Sequence, residues 1–177
     1  MAKHAPVLPD LLVPGLDVVF CGTAPGTVSA KRKQYYAHPQ NKFWRVLFDV
    51  GLTPRLLAPS EYEKLLDCRI GLTDIAKHVF GTDNELPRGS LGRDAVDALR
   101  ERIATFAPRI LAFTSLTGGR RFMGPNAQFG RQREKSGTTE IWIMPSPSPT
   151  AHWNWKKNEK IWRKLAERVR EFRETGK

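Results

Sequence analysis

A chain of 177 residues, 40% hydrophobic and 10% aromatic, is long enough for one globular domain with a sizeable core. Its formal net charge of +11 favours a polyanionic partner, most simply nucleic acid. Two cysteines, Cys21 and Cys68, give no disulfide framework and are too few for a cysteine-ligated zinc or iron–sulfur site, so no metal or other cofactor is expected and a reducing cytoplasm fits. The first fifteen residues, broken by Pro6, Pro9 and Pro14, form neither a signal peptide nor a membrane span and read as a lead-in.

The first element is a strand over Asp17–Gly22, an apolar run typical of a buried parallel strand. It breaks at Gly22, and Pro25–Gly26 makes a tight turn. A basic cluster (Lys31, Arg32, Lys33), an aromatic pair (Tyr35, Tyr36), then His38, Pro39 and Asn41 follow. Asn41–Val50 has apolar residues at helical spacing and stops at Gly51. Ser60 is a candidate N-cap for a helix Glu61–Leu66, with Glu63 at the capping-box position. Cys68–Asp74 is a second apolar piece, and residues 79–94 read as a polar loop. Asp94–Phe106 is an amphipathic helix ended by Pro108. Arg109–Ser115 is the clearest strand. Leu116–Met123 reads as a short helix leading into a Gly/Gln/Arg loop. Glu140–Met144 is a further strand, and Asn154 caps a basic helix running to about Arg173. Strands alternating with helices predict an α/β fold: a three-layer α/β/α sandwich with a mostly parallel central sheet.

In such a sheet the strand carboxyl ends share one edge, where ligands bind. Three unusual turns therefore converge: Gly22–Gly26, Thr73–Asp74 and Pro145–Thr150. The third, MPSPSPTAHW, is stiffened by alternating prolines, and its hydroxyls and free amides suit phosphate contacts. Taken alone, the loop also reads as a strand-to-helix connection kept straight by proline.

The segments PGLDVVFCGTAPGTVSA, YYAHPQNKFWRVL, GLTDIAK, PRILAFTS and IWIMPSPSPTAHW, in this order, resemble the mismatch-specific uracil-DNA glycosylase and thymine-DNA glycosylase family, within the uracil-DNA glycosylase superfamily. The resemblance runs from about Pro14 to Arg168. It implies a three-layer α/β/α fold, removal of uracil or thymine from mispaired double-stranded DNA, and no metal. Gly22, Thr23, Ala24, Pro25 and Gly26 match the motif whose backbone borders the base pocket. Ser29 falls in the segment lining the side of the pyrimidine. Tyr36 falls where the family stacks an aromatic residue on the flipped base. Asn41 resembles the motif's structural amide. Ser146, Pro147, Ser148, Pro149, Thr150 and Ala151 match the loop that grips phosphates and plugs the space left by the base. Lys31, Arg32 and Lys33, with Arg120 and Arg121, are candidate phosphate contacts.

Ala24 departs from the resemblance. The family's motif usually reads G-I-N-P-G, and its asparagine positions the attacking water; alanine cannot. Asp74, at the next strand end, is the candidate replacement, since a carboxylate can orient or deprotonate water and stabilise an oxocarbenium ion. The competing role for Thr73 or Asp74 is to cap a helix beginning at Ile75. The loop departs too, with Ser146 for an asparagine or histidine and Thr150 for a bulky wedge; His152 or Trp153 could supplement the plug. With no Schiff-base lysine in the pocket motifs, the expectation is a monomeric, monofunctional enzyme that leaves an abasic site. The alternatives are a broader glycosylase for hypoxanthine or xanthine, a lesion-binding module without catalysis, and, more weakly, a nucleotide-binding α/β protein, against which the absence of a P-loop and of GxGxxG argues.

Overall fold

Four short apolar runs become four parallel strands. These are β1 (Val18–Gly22), β2 (Ile70–Asp74), β3 (Ile110–Phe113) and β5 (Thr139–Ile143), each buried along its whole length, as parallel strands covered on both faces must be. A computed structural model describes residues 4–151 and 154–176. Its sheet has the order β2-β1-β3-β5-β4, with β4 (Gly130–Ser136) antiparallel on the edge. Alternate residues of each strand feed two cores. On one face, Val18, Phe20, Ile70, Leu72, Ile110 and Ala112 pack against α2 (Phe43–Asp49), α5 (Trp155–Thr175) and a 3₁₀ helix (Pro59–Cys68). On the other, Val19, Cys21, Leu111, Phe113, Ile141 and Ile143 pack against α3 (Arg93–Phe106) and α4 (Leu116–Met123). This is the expected three-layer α/β/α arrangement.

Several boundaries differ from expectation. The 3₁₀ helix is capped at Ala58 rather than Ser60, and Glu61, not Glu63, reaches back to the Ala58 amide at 3.0 Å. The Gly/Gln/Arg loop contains β4, whose charged GRQREKS sequence lacks an apolar face because it is mostly exposed. A short helix, α1 (Thr27–Arg32), follows the first turn and carries Lys31 and Arg32. Lys33 closes it in the left-handed conformation at φ 54°. The expected loop over residues 79–94 is a run of turns as far as Gly92.

The lead-in is built into the fold. Leu11 exchanges backbone hydrogen bonds of 2.9 and 3.0 Å with Leu72, covering the outer edge of β2. Gly71 permits this approach, because a Cβ there would sit 2.6 Å from the Leu11 carbonyl oxygen. Tyr35 donates its hydroxyl to the Pro9 carbonyl at 2.8 Å, and the Val7 amide donates to the Lys77 carbonyl at 2.7 Å. At the opposite end, α5 is pinned to the sheet by two ion pairs, Arg168 to Glu140 at 2.6 Å and Arg173 to Asp17 at 2.8 Å. Among the described residues no helix is long and apolar enough to cross a membrane.

Candidate active site

Strand parity assembles the crevice. Val18, Phe20 and Gly22 point to one face, as do Ile70, Leu72 and Asp74 on β2. Gly22 is registered directly against Asp74. On β3 the same parity continues from Ile110 and Ala112 to Thr114, whose amide donates to the Cys21 carbonyl at 3.0 Å. Asp74, Gly22 and Thr114 therefore stand in a row at the carboxyl edge, on the face covered by α2 and α5.

Gly22 makes room for the carboxylate beside it. A Cβ at position 22 would lie 2.6 Å from Asp74 Oδ1 and 3.6 Å from the Tyr36 hydroxyl. Asp74 is only 3% exposed, and its Oδ2 is buried without a hydrogen-bond partner. Burial pushes its carboxyl up to about 7; nearby Lys77 and Arg102 oppose this and Asp10 adds to it. A carboxyl poised there can exchange a proton near neutral pH. No helix begins at Ile75: the chain runs on in bends, with the Ile75 and Ala76 amides donating to the Gly22 and Thr23 carbonyls at 2.9 and 2.8 Å. That corrects the capping role suggested by the sequence: there is no helix for Thr73 or Asp74 to cap.

The two tyrosines separate. Tyr35 is a core residue. Tyr36, in the left-handed conformation at φ 51°, turns into the crevice. Its hydroxyl lies 3.1 Å from Thr114 Oγ1, and one face of its ring stacks on Phe43 at 4.0 Å and 22°. A base could stack only on its other face. Burial, reinforced by Asp74, raises the Tyr36 hydroxyl well above its ordinary value, so it stays a neutral donor. The crevice thus combines a titratable carboxylate, a neutral phenol and a ring: parts suited to activating water and holding a planar ligand.

A family model of the uracil DNA glycosylase superfamily matches residues 9–169, most of the chain. The chain belongs to the uracil DNA glycosylase superfamily. Among solved structures it is similar to one from Methanosarcina acetivorans, determined in solution by NMR and described as a candidate uracil DNA glycosylase. The TM-score is 0.61 and the identity 23%, over 92% of this chain and 96% of that one. At that identity the likeness establishes the shared fold.

The other expected site residues fall around this crevice with differing commitments. Thr23 donates its hydroxyl to Asp83 at 2.5 Å and the Pro25 carbonyl accepts from Gly81 at 2.9 Å, so the loop after β2 is laced onto the first turn. Ala24 packs against the second core with no polar atom on its side chain, and Gly26 precedes α1 as its N-cap. Ser29 is buried and its hydroxyl accepts from the Ala37 amide at 3.0 Å, which fixes the turn carrying Tyr36. Asn41 accepts from the Phe43 amide at 2.9 Å, a structural amide at the start of α2. Lys31 and Arg32 are exposed on the last turn of α1, while Lys33 donates to the Val7 carbonyl at 3.2 Å.

Three amides of the loop Ser146–Ala151, expected to be free, are engaged within the loop. Ser148 donates its amide to Ser146 Oγ at 3.2 Å, Thr150 donates to Ser148 Oγ at 3.3 Å, and Ala151 donates to the Ser148 carbonyl at 3.1 Å. Pro147 accepts from the Lys42 amide at 2.9 Å, and Pro149 lines a groove of ≈ 550 Å³ with Pro39, Asn41 and Arg45. A smaller hollow of ≈ 250 Å³ lies between the end of α4 and β4. Neither is lined by Gly22, Tyr36 or Asp74. Arg120 spends its Nε on the Ala127 carbonyl at 3.1 Å, and Arg121 is exposed beside it. His152 and Trp153 lie outside the described residues.

Sequence reasoning passed over Thr114, Asp10, Lys77 and Arg102. Thr114 had a signal, since it closes the strand RILAFTS at the parity of Gly22. The other three are joined only by long-range contacts that leave no local pattern.

Proposed function

We propose that the protein is a DNA glycosylase that hydrolyses the N-glycosidic bond of uracil mispaired with guanine. In this reading it is monofunctional and leaves an abasic site. Membership of the uracil DNA glycosylase superfamily supports DNA N-glycosylase chemistry on uracil in DNA. The observation that carries the residue assignment is the Asp74 carboxyl, buried at a strand end with an unpartnered oxygen and a proton affinity near neutrality. It offers what Ala24 lacks.

In the proposed mechanism the uracil nucleotide leaves the duplex, at a cost of a few kcal/mol that is smaller for a mispair. Exposed Lys31 and Arg32 hold phosphates, which makes binding strongly salt-dependent. The base stacks on the open face of Tyr36, and the Tyr36 hydroxyl donates to a uracil oxygen, stabilising the departing anion. Ionised Asp74 orients a water toward C1′, takes its proton, and stabilises the oxocarbenium-like transition state. Lys77 is ion-paired to Asp10 at 2.6 Å, which disfavours a covalent amine route and supports hydrolysis without strand cleavage.

The test is base release from labelled duplexes carrying G·U, A·U, G·T or hypoxanthine. The expected result is free uracil from G·U, with strands broken only after alkali. Preferred release of hypoxanthine would move the assignment to deaminated purines. Binding without any release would leave a lesion-binding module.

A further inference from the structure

The N-terminal segment brings a charge to the back of the candidate site. Asp10 accepts a hydrogen bond from Thr73 Oγ1 at 2.7 Å and pairs with Lys77 Nζ at 2.6 Å and Arg102 Nε at 3.5 Å. These side chains are largely withdrawn from water: Lys77 is 11% exposed, Arg102 19% and Asp10 24%. Arg102 also donates to the Asp74 carbonyl at 2.7 Å, and Lys77 lies three residues beyond Asp74. Two cations and one anion thus surround the root of Asp74, on the face of β2 opposite its side chain. An ionised Asp74 makes the set neutral. Without Asp10, two unpaired cations would act on one carboxylate.

We propose that Asp10 is a positioning residue for Asp74, acting through Lys77 and Arg102, whose charge it neutralises so that the Asp74 carboxyl can both bind and release a proton. This rests on the reading of Asp74 as the water-activating group. Other titratable groups lie near Asp74 as well, Cys21 across the sheet from it. Cys21 on β1, and Tyr35 and Tyr36 ahead of α2, are each held in the neutral form, burial first and Asp74 second. The charges able to move Asp74 are therefore those of the Asp10 cluster. Asp10 favours its protonated form and Lys77 and Arg102 its ionised form. The segment that bears Asp10 is tied down on the edge of β2, by Tyr35 and by the Lys77 carbonyl, so the charge sits in a fixed place.

The experiment is single-turnover uracil release from a G·U duplex between pH 5 and 9, with wild type, Asp10→Asn, Asp10→Glu, Lys77→Gln and Asp74→Asn. Wild type should lose rate as pH falls through the Asp74 titration. Asp10→Asn should move that limb about one pH unit to the acid side, the usual effect of one nearby charge, and so keep about fivefold more of its plateau rate at pH 6. Lys77→Gln should move it the opposite way, and Asp10→Glu should restore the wild-type position. A purely structural role for Asp10 would lower the plateau without moving the limb. If the limb disappears in Asp74→Asn but stands still in Asp10→Asn and Lys77→Gln, the inference is wrong and the reading of Asp74 survives. If Asp74→Asn keeps both plateau and limb, both are wrong. Should Asp10→Asn fail to fold, Lys77→Gln alone decides the matter, because it reads the same cluster with the opposite sign.

Discussion

Gly22→Ala is the sharpest perturbation available in the crevice. Gly22 is not in a left-handed conformation, so alanine brings no backbone strain and the change is confined to side-chain space. The new Cβ would lie 2.6 Å from Asp74 Oδ1, well inside van der Waals contact. Restoring ordinary separation requires the carboxylate to move by roughly 1 Å. A displacement of that size at a reacting group costs about a hundredfold in rate. The Cβ would also lie 3.6 Å from the Tyr36 hydroxyl, an ordinary contact, so the phenol need not move. The assay is single-turnover uracil release from a G·U duplex at saturating enzyme, beside duplex affinity and thermal unfolding. The expected variant is folded, binds DNA, and is slowed about a hundredfold. A Gly22→Ala protein of wild-type rate would refute the argument that Asp74, held in this position, activates the water.

Two further outcomes concern stability. The Asp74 carboxyl is raised from 3.8 to about 7, so its protonated form favours folding. The destabilisation by the ionised form is present in full above pH 7 and vanishes as pH falls toward 4. Asp74→Asn should therefore stabilise the protein by about 2–4 kcal/mol at pH 8 and hardly at pH 4, measured by urea unfolding; equal gains at both pH values would contradict the burial argument. At the far end of the sheet, burial pushes Glu140 up, but its pairing with Arg168 and Arg131 outweighs this and holds it below its ordinary value. Its stabilisation is present above the unfolded carboxyl value and lost as pH falls below it. Glu140→Gln should cost about 1–2 kcal/mol at pH 7 and less at pH 3; an unchanged unfolding midpoint at pH 7 would show the pair to be idle.

The strands that bury both faces were legible because nothing else fills VVFC, RILAF or EIWI with apolar residues. The helix caps at Asn154 and Ser115 act as local chemistry requires, accepting from Lys157 and Gly118 amides at 3.2 and 3.1 Å. β4 was illegible because its pairing with β5, not its own pattern, makes it a strand. After Asp74 the chain forms bends instead of a helix, its Ile75 and Ala76 amides tied to the carbonyls of the first turn, a long-range contact with no local pattern. The crevice was half legible. Gly22, Tyr36 and Asp74 sit in motifs; parity brings Gly22 and Asp74 together, and the left-handed turn at Tyr36 adds the ring. Asp10 is 64 residues from Asp74 in sequence, and only the docking of the lead-in on β2 reveals it.

The most direct measurement is uracil release from a labelled G·U duplex by wild type, Asp74→Asn and Asp74→Ala at pH 8, with binding of the intact duplex measured in parallel. The account expects release by wild type and at least about a hundredfold loss in both variants, with binding retained, the scale of a positioned acid–base group. Variants that release uracil at the wild-type rate would contradict it: the water would then be held by another group.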